Sequence, residues 1–302
     1  MKMCVIEPTS LNKKIFLKNG VELTTDVNDA DYLLVRNSTK HLNLLNKTVY
    51  VSREPPTKGY IPYYEAFDDF KLVVAYNPDD DKKNQIPFNS VSFPNWVTTL
   101  SARPKYIPKN ENSMLKTRGV FFAGNITRDV SDVKLPENAT SIQNIRKPMV
   151  EYFLNKFPNS EAIGFGWNFQ SRKSEIGWRT DKMMRIEKSS CDFILCLENT
   201  IYPNYMSEKF WDGLFSGKAM LYLGDPTVDN YFSKSCYIDL RPYYKNGEID
   251  LHAVGDRLQS ITQEEYENIL YNASIEREKY IPEAPFHRDE LTKKVLNILS
   301  EQ

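Results

Sequence analysis

At 302 residues the chain exceeds the usual span of one domain, and its 41% hydrophobic and 13% aromatic content is enough for two packed cores and excludes a disordered chain. Its 39 basic and 40 acidic residues nearly cancel, which excludes a bulk field aimed at nucleic acid or an anionic membrane. Any anion site must therefore be built locally.

The opening residues Met3 to Ile6 are too short an apolar run for a signal peptide and read as a first strand. Further short β-rich runs follow at Tyr32 to Val35, Val49 to Ser52 and Leu72 to Tyr76. Some of the polar segments between them are long enough for crossover helices, which favours a parallel α/β sheet. From Ser101 the sequence turns to Pro, Lys and Asn without apolar period, and residues 106–117 are assigned as a linker after a first domain spanning 1–105.

The second series begins with a strand at Gly119 to Phe122 and a turn at Ala123-Gly124-Asn125. A helix is predicted from about Ser141 to Phe157, where Ile142, Ile145, Met149, Tyr152 and Phe153 recur at three- and four-residue steps. Strands follow at Glu161 to Phe165, Asp192 to Leu197 and Ala219 to Leu223, with a helix at Ser207 to Ser216 and a terminal helical region from about Gln263. The second domain is placed at 118–270 and a C-terminal helical segment at 271–302.

No stretch approaches the roughly 20 apolar residues of a membrane span. The four cysteines, Cys4, Cys191, Cys196 and Cys236, show neither zinc nor dithiol spacing and read as buried free thiols. Asn-x-Ser/Thr triplets occur at Asn37, Asn46, Asn125, Asn138 and Asn272, but without an export signal a cytoplasmic protein is expected. His41, His252 and His287 lack metal spacing, and the run Asp79-Asp80-Asp81 reads as a polar turn because consecutive residues converge poorly on one ion. No metal and no other cofactor is expected.

Chemistry concentrates between Cys191 and Gly224. A buried strand ends at Leu197, and polar groups appear at its carboxyl end, where open α/β sheets bind ligands. Ser207 is a good N-cap, and the first turn it opens carries Glu208 and Lys209. Free amides and the helix dipole make such a turn attractive to phosphate, and Lys209 adds a full charge. Glu208, an acceptor when ionised, suits a pair of ribose hydroxyls. The same residues also suit an ordinary solvated helix start.

The run Leu197-Glu198-Asn199-Thr200, then Tyr205-Met206-Ser207-Glu208-Lys209-Phe210-Trp211, then Ser216-Gly217 and Tyr222-Leu223-Gly224, closely resembles the donor-binding signature of the family-10 α1,3/4-fucosyltransferases. It departs from that pattern at Leu197, Met206 and Ser207, all mild changes. Phe121 to Asn125 with Ile145 to Val150 resembles the family's strand-turn region and the helix whose arginine meets the donor diphosphate, which makes Arg146 a phosphate ligand by resemblance. Taken alone, Arg146 reads as a surface helix residue. Val49 to Pro56 resembles the segment in which a strand ends in the family's proposed catalytic base, here Glu54; a strand-end carboxylate before a rigid Pro pair agrees with that role.

The resemblance implies a GT-B architecture: two Rossmann-like domains with parallel sheets facing across a cleft, the first receiving a saccharide or glycoprotein acceptor and the second holding GDP-fucose. It also implies inversion without metal, with Glu54 as general base, Arg146 and Lys209 on the diphosphate, Glu208 on the ribose, and Asn199 and Tyr205 completing the donor pocket. Two alternatives stay open: the same fold with another sugar nucleotide, or a catalytically silent sugar-nucleotide or glycan binder. The aromatic group Tyr60, Tyr63, Tyr64 and Phe67 reads as core rather than as a sugar-stacking surface.

Overall fold

A computed structural model describes residues 1–6, 11–35, 42–51, 69–75, 85–87, 114–125, 139–167, 178–203, 205–280 and 284–301. The first sheet contains β1 (Lys2–Val5), β2 (Glu22–Thr24), β3 (Tyr32–Val35), β4 (Thr48–Val51), β5 (Leu72–Ala75) and β6 (Gln85–Pro87), with the helix α1 (Lys13–Lys18) between β1 and β2. Its order is β2-β1-β3-β4-β5-β6, and every pairing is parallel.

The second sheet contains β7 (Val120–Ala123), β9 (Glu161–Ile163), β10 (Phe193–Leu197), β12 (Ala219–Leu223) and β13 (Ile238–Asp239). Its order is β13-β12-β10-β7-β9, again parallel throughout. Numbered within its own sheet, this is the order 2-1-3-4-5, which the first sheet also follows before its extra strand. The pair β8 (Thr140–Ser141) and β11 (Thr200–Ile201) forms a small antiparallel ribbon beside it. Helices α2 (Arg146–Lys156), α3 (Trp178–Lys188), α4 (Glu208–Phe215), α5 (Leu251–Ser260), α6 (Gln263–Tyr280) and α7 (Ala284–Ser300) complete the described elements.

Parallel strands are covered on both faces, so they read as unbroken apolar runs. Every residue of β4, β10 and β12 is buried. Alternate residues serve opposite cores. Phe121, Ile194, Cys196, Met220 and Tyr222 join one cluster, and Val120, Phe193, Leu195, Leu197, Leu221 and Leu223 join the other. In the first sheet Met3, Leu34, Val49 and Val51 face one way, while Cys4, Leu33, Val35 and Tyr50 face the other.

The carboxylate of Asp192 staples residues 116–118 to the second sheet. One of its oxygens accepts from the successive amides of Lys116 (3.0 Å), Thr117 (2.6 Å) and Arg118 (2.6 Å). The Arg118 guanidinium then donates to the carbonyls of Leu258 at 2.5 Å and Ile261 at 3.0 Å, satisfying acceptors at the end of α5.

The segment 271–302 divides between the two sheets. α6 runs through residue 271 without a break, its Tyr266, Ile269, Leu270 and Ala273 packed into the second-sheet cores. α7 instead returns to the first sheet, where Leu291, Val295, Leu296 and Leu299 share a cluster with Phe16 and Met3. Polar contacts fix it there: Asn12 N donates to Thr292 Oγ1 at 2.9 Å, and Tyr32 OH to the Leu299 carbonyl at 3.3 Å. A helix that leaves one core and seals another carries no local mark in its sequence. Its destination is a tertiary matter.

All four cysteines are free and buried. Burial raises the thiol of Cys191 to about 11 and that of Cys236 to about 12, and pushes Cys4 and Cys196 up as well. The thiolate is the reactive form. An aromatic disulfide reagent at mildly alkaline pH is therefore expected to label none of the four in the native protein and all four after denaturation; fast native labelling of Cys196 would contradict the packing of β10 against α4.

Candidate donor site

In a sheet of order 2-1-3-4-5 the connections reverse direction between the first and third strands, leaving a crevice at their carboxyl ends. In the second sheet these strands are β7 and β10. Asn125 follows β7, Glu198 and Asn199 follow β10, and Gly224 follows β12.

Arg146 spans this crevice. It is 6% exposed, so the surface-helix reading of this residue in isolation does not hold. The reason is the helix start: residues 144–145 form a turn, α2 begins at Arg146 itself, and the side chain reaches the residues that follow β7 and β10 rather than lying along a solvated face. Its Nη2 donates to Asn199 Oδ1 at 3.0 Å and its Nη1 to the Asn125 carbonyl at 3.3 Å. The first turn of α2 contains no acid. A guanidinium stacked on the positive end of a helix dipole, with no acid in that turn, concentrates positive potential that an anion relieves.

Across the crevice, Ser207 caps α4 as its sequence predicts, its Oγ accepting from Lys209 N at 3.2 Å. The cap residue is itself held from below: the fully buried carboxylate of Glu198 accepts from Ser207 N at 2.8 Å and from Ser207 Oγ at 2.5 Å. Lys209 Nζ lies 3.2 Å from Glu208 Oε1 and 3.7 Å from Glu198 Oε2. The sequence named Glu198 within the signature run but gave it no role of its own; its place directly before Asn199 at a buried strand's end was the available signal.

The structure thus brings Arg146 and Asn199 into direct contact and pairs Glu208 with Lys209. Tyr205 is placed differently: at 1% exposure it joins, with Tyr202, the apolar cluster that contains Val49 and Val51 of the first sheet. Its ring works at the junction between the two sheets. Glu54 lies outside the described residues, three positions beyond the end of β4. So do Asp79 to Asp81 and Tyr60, Tyr63, Tyr64 and Phe67.

Two glycines let these elements approach. A Cβ at Gly213 would lie 2.8 Å from Cys196 Sγ and 2.3 Å from Met220 Sδ, so α4 sits directly on β10 and β12. A Cβ at Gly224 would lie 2.9 Å from Glu198 Cγ and 2.2 Å from Tyr222 OH. Gly217 closes α4 at φ 72°, the left-handed conformation expected of a helix-terminating glycine. Among the described residues no group of three or more His, Cys, Asp or Glu could hold a metal ion, and no helix is long and apolar enough to cross a membrane.

No protein-family model matches the sequence, and no curated protein does. Solved structures do match. An α1,3-fucosyltransferase with GDP-fucose aligns at a TM-score of 0.56 and 15% identity, over 90% of this chain and 81% of that one. An α1,3-fucosyltransferase with GDP aligns at 0.55 and 15%, with the same coverage. Anabaena HepE with UDP-glucose aligns over the whole of both chains at 0.48 and 10% identity, too slight a likeness to build on. At these identities the likeness establishes architecture: the chain has the α/β GT-B fold of glycosyltransferases, two parallel sheets with their helices.

Proposed function

We propose that the protein is an inverting glycosyltransferase that takes L-fucose from GDP-fucose and passes it to a hydroxyl of a saccharide or glycoprotein acceptor. The observation that carries this reading is Arg146, buried at the crevice between β7 and β10 and joined to Asn199. A buried guanidinium at a helix N-terminus suits a diphosphate, and the solved structures of like fold include one with GDP-fucose. In this reading Arg146 and Lys209 take the charge of the departing diphosphate through charge-assisted hydrogen bonds. Glu208 takes the ribose hydroxyls, and Asn199, held by Arg146, borders the sugar. Glu54 removes the acceptor proton as the hydroxyl attacks the anomeric carbon from the face opposite the phosphate. The reaction needs no metal in this scheme, because two cations already face the leaving group.

Nucleotide binding tests the donor half. GDP is expected to raise the thermal midpoint, since a ligand at about 100 times its Kd adds about 2.7 kcal/mol to the folded state. Lys209→Ala should weaken GDP binding by about 10 to 100 times, the worth of one charge-assisted hydrogen bond. Stabilisation by UDP in place of GDP would reassign the donor within the same fold. No response to any nucleoside diphosphate would remove the reading. Tight GDP binding without turnover across a broad pool of acceptors would favour a silent binder.

A further inference from the structure

Glu198 is fully buried, yet it carries a carboxylate, and burying a charge is costly unless its partners are well placed. Burial pushes its pKa up, while Lys209 and Ser207 oppose that rise. Its Oε1 accepts from Ser207 N at 2.8 Å and from Tyr222 OH at 3.4 Å; its Oε2 accepts from Ser207 Oγ at 2.5 Å and lies 3.7 Å from Lys209 Nζ. Helix capping does not require this group, because Ser207 already caps α4. The close packing beneath Gly224 is shaped around it, since a Cβ there would meet Glu198 Cγ at 2.9 Å. What the carboxylate adds is an acid group 3.7 Å from the Lys209 amine, whose Nζ also donates to Ser207 Oγ at 3.0 Å.

We propose that Glu198 is a positioning residue that holds the start of α4 and aims the Lys209 amine at the donor diphosphate. The inference rests on the reading of this crevice as a nucleoside-diphosphate site. Glu198 itself touches no substrate. It is the internal counter-charge that keeps the lysine amine gathered at the start of α4 before the donor arrives, so that less side-chain freedom is lost on binding.

Two measurements on the full chain test this. The first is acylation of lysines followed by mass spectrometry, without nucleotide, with exposed Lys147 and buried Lys182 as references. Glu198→Gln keeps the shape but removes the charge, which favours the reactive neutral amine of Lys209. Its labelling should rise several-fold while Lys147 and Lys182 stay unchanged. Glu198→Ala, which removes the charge without setting an amide donor against Ser207 N and leaves the Ser207 cap in place, should raise Lys209 labelling as well and serves if Glu198→Gln fails to fold. The second is calorimetric GDP binding, where Glu198→Gln should weaken affinity about tenfold. Unchanged Lys209 labelling in the folded variants overturns the role of Glu198, as does raised labelling with unaltered GDP affinity. A native protein that binds no nucleoside diphosphate overturns instead the donor reading, because the labelling is read without ligand.

Discussion

Glu54→Gln is expected to cut sugar transfer by about 100 to 10,000 times while leaving GDP affinity at its native value, the range being that of a positioned general base. An alcohol is a poor nucleophile until its proton begins to leave. Glutamine matches the glutamate in shape but cannot accept that proton. The strand before it supports such a role: β4 is buried along its whole length at the centre of the first sheet, so its carboxyl end is a rigid point of departure for the chain. The donor contacts proposed here lie on the other sheet, at Arg146, Asn199, Glu208 and Lys209, and GDP binding should not sense the change. Turnover is followed by release of GDP with a pooled set of glycan acceptors, and affinity by calorimetry. Normal turnover in the variant would strike Glu54 from the mechanism. A parallel loss of GDP affinity would instead make it part of the donor pocket.

Lys182→Met is expected to destabilise the protein by about 3–5 kcal/mol, the cost of stranding one member of a buried ion pair. Lys182 Nζ lies 2.6 Å from Asp212 Oδ2, with side chains 6% and 1% exposed, and the pair ties α3 to α4. Removing the ammonium leaves a carboxylate that is 1% exposed on a helix whose Phe210, Trp211 and Leu214 belong to an apolar cluster. The double variant Lys182→Met, Asp212→Leu removes both charges and should recover most of the loss, since an apolar pair of similar volume is often as stable as the ions it replaces. Chemical denaturation reads both. A single variant within about 1 kcal/mol of the native protein would mean that solvent reaches the pair. Because α4 begins at Glu208 and Lys209, a folded Lys182→Met protein should also bind GDP more weakly, which links the packing of one helix to the site at its start.

Much of the frame was legible from local pattern. The strands at Tyr32–Val35 and Ala219–Leu223 fall where the sequence places them, since a strand buried on both faces must be apolar throughout. Ser207 caps its helix as read, because capping depends on residues within one turn. Elements with weaker patterns escaped: β2 and β6 are three residues each, and α3 carries too many charges for its apolar side to stand out. The predicted helix from Ser141 also starts late. Ser141 is spent on the ribbon with Thr200 instead.

By itself the sequence determined the α/β class, the parallel strands and the N-cap of the helix at Glu208, all set by neighbours a few positions apart. Tertiary structure alone decided that Arg146 is buried on Asn199, 53 residues away, and that the last helix returns to a core begun 280 residues earlier. It also decided that the Glu198 carboxylate binds Ser207 at the start of α4. Burial and charge pairing are properties of surfaces brought together by the sheets. No period or motif along the chain encodes which side chain finds which, so the buried carboxylate that holds Ser207 from below could be found only in the folded chain.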